Sequence, residues 1–187
     1  MLDSGFQRWG FIGCFVIATA ALGFGLFAQV VWHMRPCPWC TLQRLIFASL
    51  SIASLLGLLV SLAESRLDSH SNQWTPIVRL GVRVLVIALA LAGVATAAWQ
   101  SFGLVDAAGC SLTLADRIVQ ATTLDVRLPL LFSATANCDE ANVPLLGVPF
   151  AVWSMLTFAF IAFLMMIAST STSTSTSTST SSQNPSD

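Results

Sequence analysis

The chain has 187 residues, 55% of them hydrophobic, and its eight basic and nine acidic side chains make it only 9% charged. A soluble domain carries about a quarter charged residues, so this composition excludes a disordered chain, a nucleic-acid-binding protein and an ordinary cytosolic domain. Every basic residue is Arg, the net charge of −1 gives no reason to expect an anionic partner, and five Cys are too few for a disulfide-dense secreted scaffold. The length suits one domain, and the composition is that of a membrane protein.

A hydrocarbon core of about 30 Å needs roughly 20 apolar residues in a helix. Four runs contain no charged residue: Gly10–Trp32, Leu45–Ala63, Val84–Val105 and Ala141–Ala168. Backbone groups in lipid must be satisfied within the segment, so each run predicts one spanning helix, the last beginning with interfacial residues around Pro144 and Pro149. The expected fold is an all-α integral-membrane four-helix bundle with a long outer loop between spans three and four. Gly23, Gly25, Gly57, Gly93 and the Ala-rich stretch Ala88–Ala98 would allow close helix approach. In the first run, Arg8 and Ala18-Thr19-Ala20 have the look of a signal peptide, but the apolar stretch continues to Trp32, as a retained helix would.

Four spans put both termini on one side with the 64–83 connection, and put 33–44 and 106–140 on the other. Arg8, Arg66, Arg79 and Arg83 balance Arg35, Arg44, Arg117 and Arg127. Arg117 and Arg127 sit mid-loop, where they count least, which favours cytoplasmic termini. The expected organisation is a four-span membrane domain over 1–168 and a disordered cytoplasmic Ser/Thr-rich tail over 169–187, because the tail has nothing to bury.

Cys14 lies inside the first run and reads as a small core hydrophobe. The other four cysteines fall on one side: Cys37 and Cys40 in Pro36-Cys37-Pro38-Trp39-Cys40, and Cys110 and Cys138 within the long loop. Zinc is one reading of four cysteines, but the second pair lacks the close C-x₂₋₄-C spacing of zinc modules, and His33 and His70 belong to opposite sides. Two structural disulfides are another, but closing a loop as short as C-x-x-C removes little unfolded-state entropy. Redox chemistry fits best.

Arg44 stands four residues after Cys40, on the same face if a helix begins near Cys40. A helix N-terminus and a guanidinium both favour a thiolate, the nucleophile of thiol–disulfide exchange. An ionisable residue at the mouth of a span marks a functional site, although Arg44 alone would suit a headgroup-seeking snorkeller. A disulfide-making protein must pass two electrons onward, and a pair at a membrane surface is well placed to meet a lipid-soluble quinone. Arg44 would then hydrogen-bond a quinone carbonyl. Trp32 and Trp39 would be interfacial anchors or part of such a site. Leu112, Leu114, Ile118 and Val119, interleaved with Asp116 and Arg117, suggest a short amphipathic helix lying on the membrane.

Taken together, four spans, a C-x-x-C followed by Arg44 at the head of span two, and a distant Cys pair in the second outer loop resemble the disulfide bond formation protein B (DsbB) family. These are bacterial inner-membrane, quinone-dependent disulfide-forming proteins. Leu145-Leu146-Gly147-Val148-Pro149-Phe150-Ala151-Val152-Trp153 resembles the family's entry into the last span, and the likeness covers roughly residues 8–168.

The resemblance implies that Cys37 and Cys40 are the quinone-coupled pair, with Cys40 contacting ubiquinone or menaquinone and Arg44 assisting. It implies that Cys110 and Cys138 face the periplasm, with Cys110 attacked by a reduced thioredoxin-fold partner of the DsbA type. Electrons would run from partner to Cys110/Cys138, to Cys37/Cys40, to the membrane quinone pool. It also implies periplasmic Cys loops and cytoplasmic termini. Some family members carry a quinone-binding His near the outer end of span three; here the stretch is Ala97-Ala98-Trp99-Gln100-Ser101, leaving Gln100 as the polar candidate.

Two alternatives stand beside this reading. A reductase of the vitamin K epoxide reductase type usually carries its C-x-x-C on a late span. A non-catalytic membrane protein with structural disulfides in its outer loops would not need Arg44.

Overall fold

The computed structural model describes residues 2–66, 75–102, 114–134, 136 and 144–173. The elements run α1 (Leu2–Val31), α2 (Pro38–Arg66), α3 (Thr75–Phe102), α4 (Leu114–Ala121), α5 (Leu124–Arg127), α6 (Pro129–Phe132), β1 (Pro144–Leu145), β2 (Val148–Pro149) and α7 (Phe150–Ser173). Four of them hold segments long and apolar enough to cross a membrane: Gln7–Val31, Pro38–Ala63, Ile77–Ser101 and Phe150–Ala168. They pack as a ring in which α1 adjoins α2, α2 adjoins α3, α3 adjoins α7, and α7 closes on α1.

All four expected spans are present, but each begins elsewhere, α1 at Leu2 rather than Gly10. Helix α2 starts at Pro38, seven residues before the charge-free run at Leu45. Pro is suited to the first helical position because it has no N–H to leave unpaired, and it bars the preceding residue from helical geometry. Helix α3 starts at Thr75 and carries Arg79 and Arg83 within it. The last span starts at Phe150, because Pro144 to Pro149 form a two-residue hairpin pairing Pro144 with Pro149 and Leu145 with Val148. Its turn residues Leu146 (φ 56°) and Gly147 (φ 81°) are both left-handed, as a hairpin of this length requires. Helix α7 continues to Ser173; the remainder of the Ser/Thr tail lies outside the described residues.

The core lies along the bundle axis. The ring of Phe47 on α2 stacks on that of Phe158 on α7, with centroids 4.0 Å apart. Phe158 is fully buried because Gly93 on α3 leaves space for it: a Cβ there would collide with the ring. Gly57 on α2 does the same for Phe11 on α1. Of the small residues expected at interfaces, Gly57, Gly93 and Gly25 meet neighbours, whereas Gly23 faces open space. Cys14 is fully buried in this core and unbonded.

The segment between α3 and α7 adds a cover to the bundle. Helix α4 forms where a short amphipathic helix was expected, and it packs against α2. Ala115 and Val119 enter the core cluster while Arg117 stays exposed, so this helix rests on the bundle as well as presenting a polar face. Phe132 of α6 joins the same cluster.

Candidate functional site

The site is built where α2 begins. Cys37 precedes the helix, and its carbonyl accepts the Thr41 N–H at 3.0 Å while its sulfur accepts the Cys40 N–H at 3.3 Å. Cys37 therefore caps the helix, its sulfur serving where a Ser or Asp oxygen usually does. That geometry turns the two sulfurs toward each other, unbonded and 2.8 Å apart. Cys37 is fully buried; Cys40 is partly open and lines a cavity. The Cys37 thiol is held well above the ordinary thiol range, first by its hydrogen bond with the Cys40 sulfur and then by burial.

The cavity has a volume of about 550 Å³. Arg35, Cys40, Gln43, Arg44, Gln100, Ser154 and Thr157 are its polar lining, and the rest of its walls are apolar, with Phe24, Phe47, Phe150 and Trp153 among them. An apolar pocket with a few convergent polar groups, in the range of a few hundred to about 1,000 Å³, is the usual form of a small-molecule site.

Arg44 lies one helical turn beyond Cys40, half-buried in the cavity wall. Its guanidinium donates to the side-chain oxygen of Gln29, to the Leu131 carbonyl at 3.2 Å and to the Gly25 carbonyl at 3.0 Å. Gly25 faces the guanidinium directly, and a Cβ there would meet the Arg44 Nε at 3.6 Å, an ordinary van der Waals contact. These acceptors explain how a charge is tolerated inside a span. Across the site, Gln100 on α3 donates to the Cys40 sulfur at 3.3 Å and to the Cys37 sulfur at 3.5 Å. Gln43 on α2 donates to the Gln100 side-chain oxygen at 2.6 Å.

Of the expected site residues, Cys37, Cys40 and Arg44 come together with Gln100. Cys110 and Cys138 lie outside the described residues. Their loop nonetheless reaches the site, because the Ala136 N–H donates to the Pro36 carbonyl at 3.3 Å, immediately before Cys37. Neither Trp32 nor Trp39 lines the cavity: Trp32 is exposed and meets Phe24 and Phe27 edge-on, while Trp39 packs against the core. The tryptophan in the wall is Trp153. Among the described residues no third His, Cys, Asp or Glu joins the cysteine pair. Gln29 and Gln43 were not singled out from the sequence; the available signal was an amide inside an otherwise apolar span.

A four-helix membrane bundle with an adjacent thiol pair at the mouth of one helix, opening on an apolar cavity beside a half-buried cation, defines a membrane protein equipped for thiol–disulfide chemistry. Comparison with known proteins gives the family. Residues 7–168 match the family model described as disulfide bond formation protein DsbB. The chain is 27% identical to disulfide bond formation protein B of Aromatoleum aromaticum, over 84% of this chain and 90% of the relative. It is 29% identical to the protein of that name from Ralstonia nicotianae (82% and 87% covered) and 30% identical to that from Dechloromonas aromatica (79% and 81%). This chain belongs to the DsbB family, whose name denotes disulfide bond formation.

Proposed function

We propose that this protein is a quinone-dependent thiol oxidase of a bacterial inner membrane, which reoxidises a periplasmic DsbA-like dithiol protein. Electrons pass from the partner to Cys110/Cys138, then to Cys37/Cys40, then to ubiquinone or menaquinone. The observation that carries this reading is the single cavity wall that holds both Cys40 and Arg44. Membership of the family supports it, as does the hydrogen bond from Ala136 to Pro36, which brings the outer loop against the C-x-x-C.

The residues present fit a quinone. The apolar walls suit its ring and the start of its chain, and the cavity has the volume to admit them. When bound, a quinone would accept two electrons and two protons to become a quinol. Cys40, exposed to the cavity, presents the sulfur that loses electrons; Cys37, held against it, supplies the sulfur that closes the new disulfide. One sulfur–sulfur bond would form and the Cys37 S–H bond would break; the two electrons would leave with the quinol, together with the Cys37 proton and a second proton from Cys40 or, where Cys40 is already a thiolate, from solvent. Arg44 is fixed by its acceptors before any ligand arrives, so its charge would stabilise negative charge developing on a bound quinone without reorganising. The partner's two thiols then restore the reduced pair through Cys110/Cys138.

The test is quinone reduction by the purified protein in detergent, started by a reduced thioredoxin-fold dithiol protein. Wild type is expected to consume quinone and Cys40→Ser to consume none. No consumption by wild type, with an active family member working in the same assay, would favour a non-catalytic protein with structural disulfides.

A further inference from the structure

Gln43 touches neither sulfur in the contacts that define the site, yet it is almost completely buried, 4% exposed, at the first turns of α2. Its amide N–H is spent on one acceptor, the side-chain oxygen of Gln100, at 2.6 Å. The opposite end of the Gln100 carboxamide faces the cysteine pair, 3.3 Å from the Cys40 sulfur and 3.5 Å from the Cys37 sulfur. A carboxamide has a donor end and an acceptor end, and exchanging them changes its shape very little. Something must therefore decide which end the sulfurs meet.

We infer that Gln43 is a positioning residue, which holds the Gln100 carboxamide with its N–H toward Cys40 and thereby supports the sulfur as a thiolate. With the Gln43 N–H occupying the Gln100 oxygen, the amide nitrogen is left to point at the sulfurs. The reverse arrangement fails chemically. An oxygen turned to the pair would need a proton from one of them, yet the 2.8 Å contact between the sulfurs already engages one thiol proton, and the other sulfur, once a thiolate, has none to give. A hydrogen bond donated to a sulfur favours its charged form, and thiolate content governs the rate at which a cysteine attacks. The Gln43–Gln100 contact also bridges α2 and α3, so a purely structural role as helix-to-helix adhesive is the competing explanation. The inference rests on Cys40 being the reacting sulfur, as proposed above, but not on the identity of its electron acceptor.

The experiment measures Cys40 alkylation in the full-length reduced protein in detergent without added quinone. Iodoacetamide is applied at neutral pH, and the labelled cysteine is assigned by peptide mass spectrometry. Gln43→Met and Gln43→Leu, both apolar and of similar size, are compared with wild type, with Gln100→Leu and with the double variants. The expected result is a fall of about 3- to 10-fold in the Cys40 rate for either Gln43 variant and for Gln100→Leu, with no further fall when the two sites are combined. A merely structural Gln43 would leave the Cys40 rate unchanged, or would lower it equally in the Gln100→Leu background; either result overturns the inference. An unreactive Cys40 in wild type would overturn the site assignment on which it rests, so the two failures are distinguishable.

Discussion

Arg44, on the second membrane helix, donates a hydrogen bond to the carbonyl of Leu131, which lies 87 residues away in the segment between Cys110 and Cys138. The cation at the cavity is thus tied directly to the connection between α3 and α7. Its other acceptors, Gln29 and Gly25, both belong to α1. One planar guanidinium on α2 holds two other pieces of chain, α1 and α6, beside the cavity, donating from two nitrogens of its fork.

Arg44→Lys should therefore not behave as a conservative change. An ammonium is a compact point charge and cannot reproduce donation from two separate nitrogens. Loss of charged hydrogen bonds at this site is expected to lower quinone reduction by roughly tenfold or more in Arg44→Ala, with Arg44→Lys closer to Arg44→Ala than to wild type. Steady-state quinone reduction at several quinone concentrations checks this. Full activity in Arg44→Lys would show that charge alone suffices.

The two cysteines of the C-x-x-C should differ in reactivity. Cys37 is fully buried and its thiol is pushed upward by its partner sulfur and by burial, so it stays protonated at neutral pH. Limited alkylation at neutral pH is expected to label Cys40 first and to leave Cys37 largely unmodified, as peptide mapping would reveal. Cys14, enclosed in the core, should resist labelling unless the protein unfolds, and Cys14→Ala should retain quinone reduction.

The glycines at the aromatic contacts make a stability prediction. Gly57→Ala and Gly93→Ala would drive a methyl into the rings of Phe11 and Phe158. Each should destabilise the bundle by about 1–3 kcal/mol, the usual cost of overpacking. Gly23→Ala, which meets open space, should stay within about 0.5 kcal/mol of wild type. Thermal unfolding in detergent measures all three. Trimming the ring in Gly93→Ala/Phe158→Leu should recover part of the loss.

The Ala136 N–H bonded to the Pro36 carbonyl gives a test of communication between the two pairs. Ala136→Pro removes the donor. It should slow quinone reduction driven by a protein dithiol several-fold, while direct reduction of quinone by the prereduced Cys37/Cys40 pair stays unchanged. Equal slowing of both reactions would indicate general damage to the site.

The four spans were legible because missing charge is a strong signal in a chain that must cross lipid. Their ends were less so. Arg44 interrupted the apolar run, so the run began at Leu45, but the helix absorbs the charge with acceptors from α1 and α6 and begins at Pro38. Arg79 and Arg83 shortened the third run in the same way. Cys37, Cys40 and Arg44 stood out through spacing. Two of Arg44's acceptors are backbone carbonyls, which any residue type supplies, so no pattern could announce Gly25 or Leu131 as partners. Gln29 is uncharged and did not interrupt its apolar run, and Gln43 lay outside the run that began at Leu45. Gly23 and Gly25 looked equivalent as small residues, but two positions apart on a helix point about 200° from one another. Only Gly25 therefore meets Arg44.

The most direct test of the proposed electron path isolates its last step. In a Cys110→Ser/Cys138→Ser protein, the prereduced Cys37/Cys40 pair is mixed anaerobically with quinone and followed through a single turnover. The expected result is loss of one equivalent of quinone, with a Cys37–Cys40 disulfide appearing at the same rate. If the pair stays reduced while quinone is unchanged, in protein that remains folded, the cavity beside Cys40 is not where electrons leave the chain.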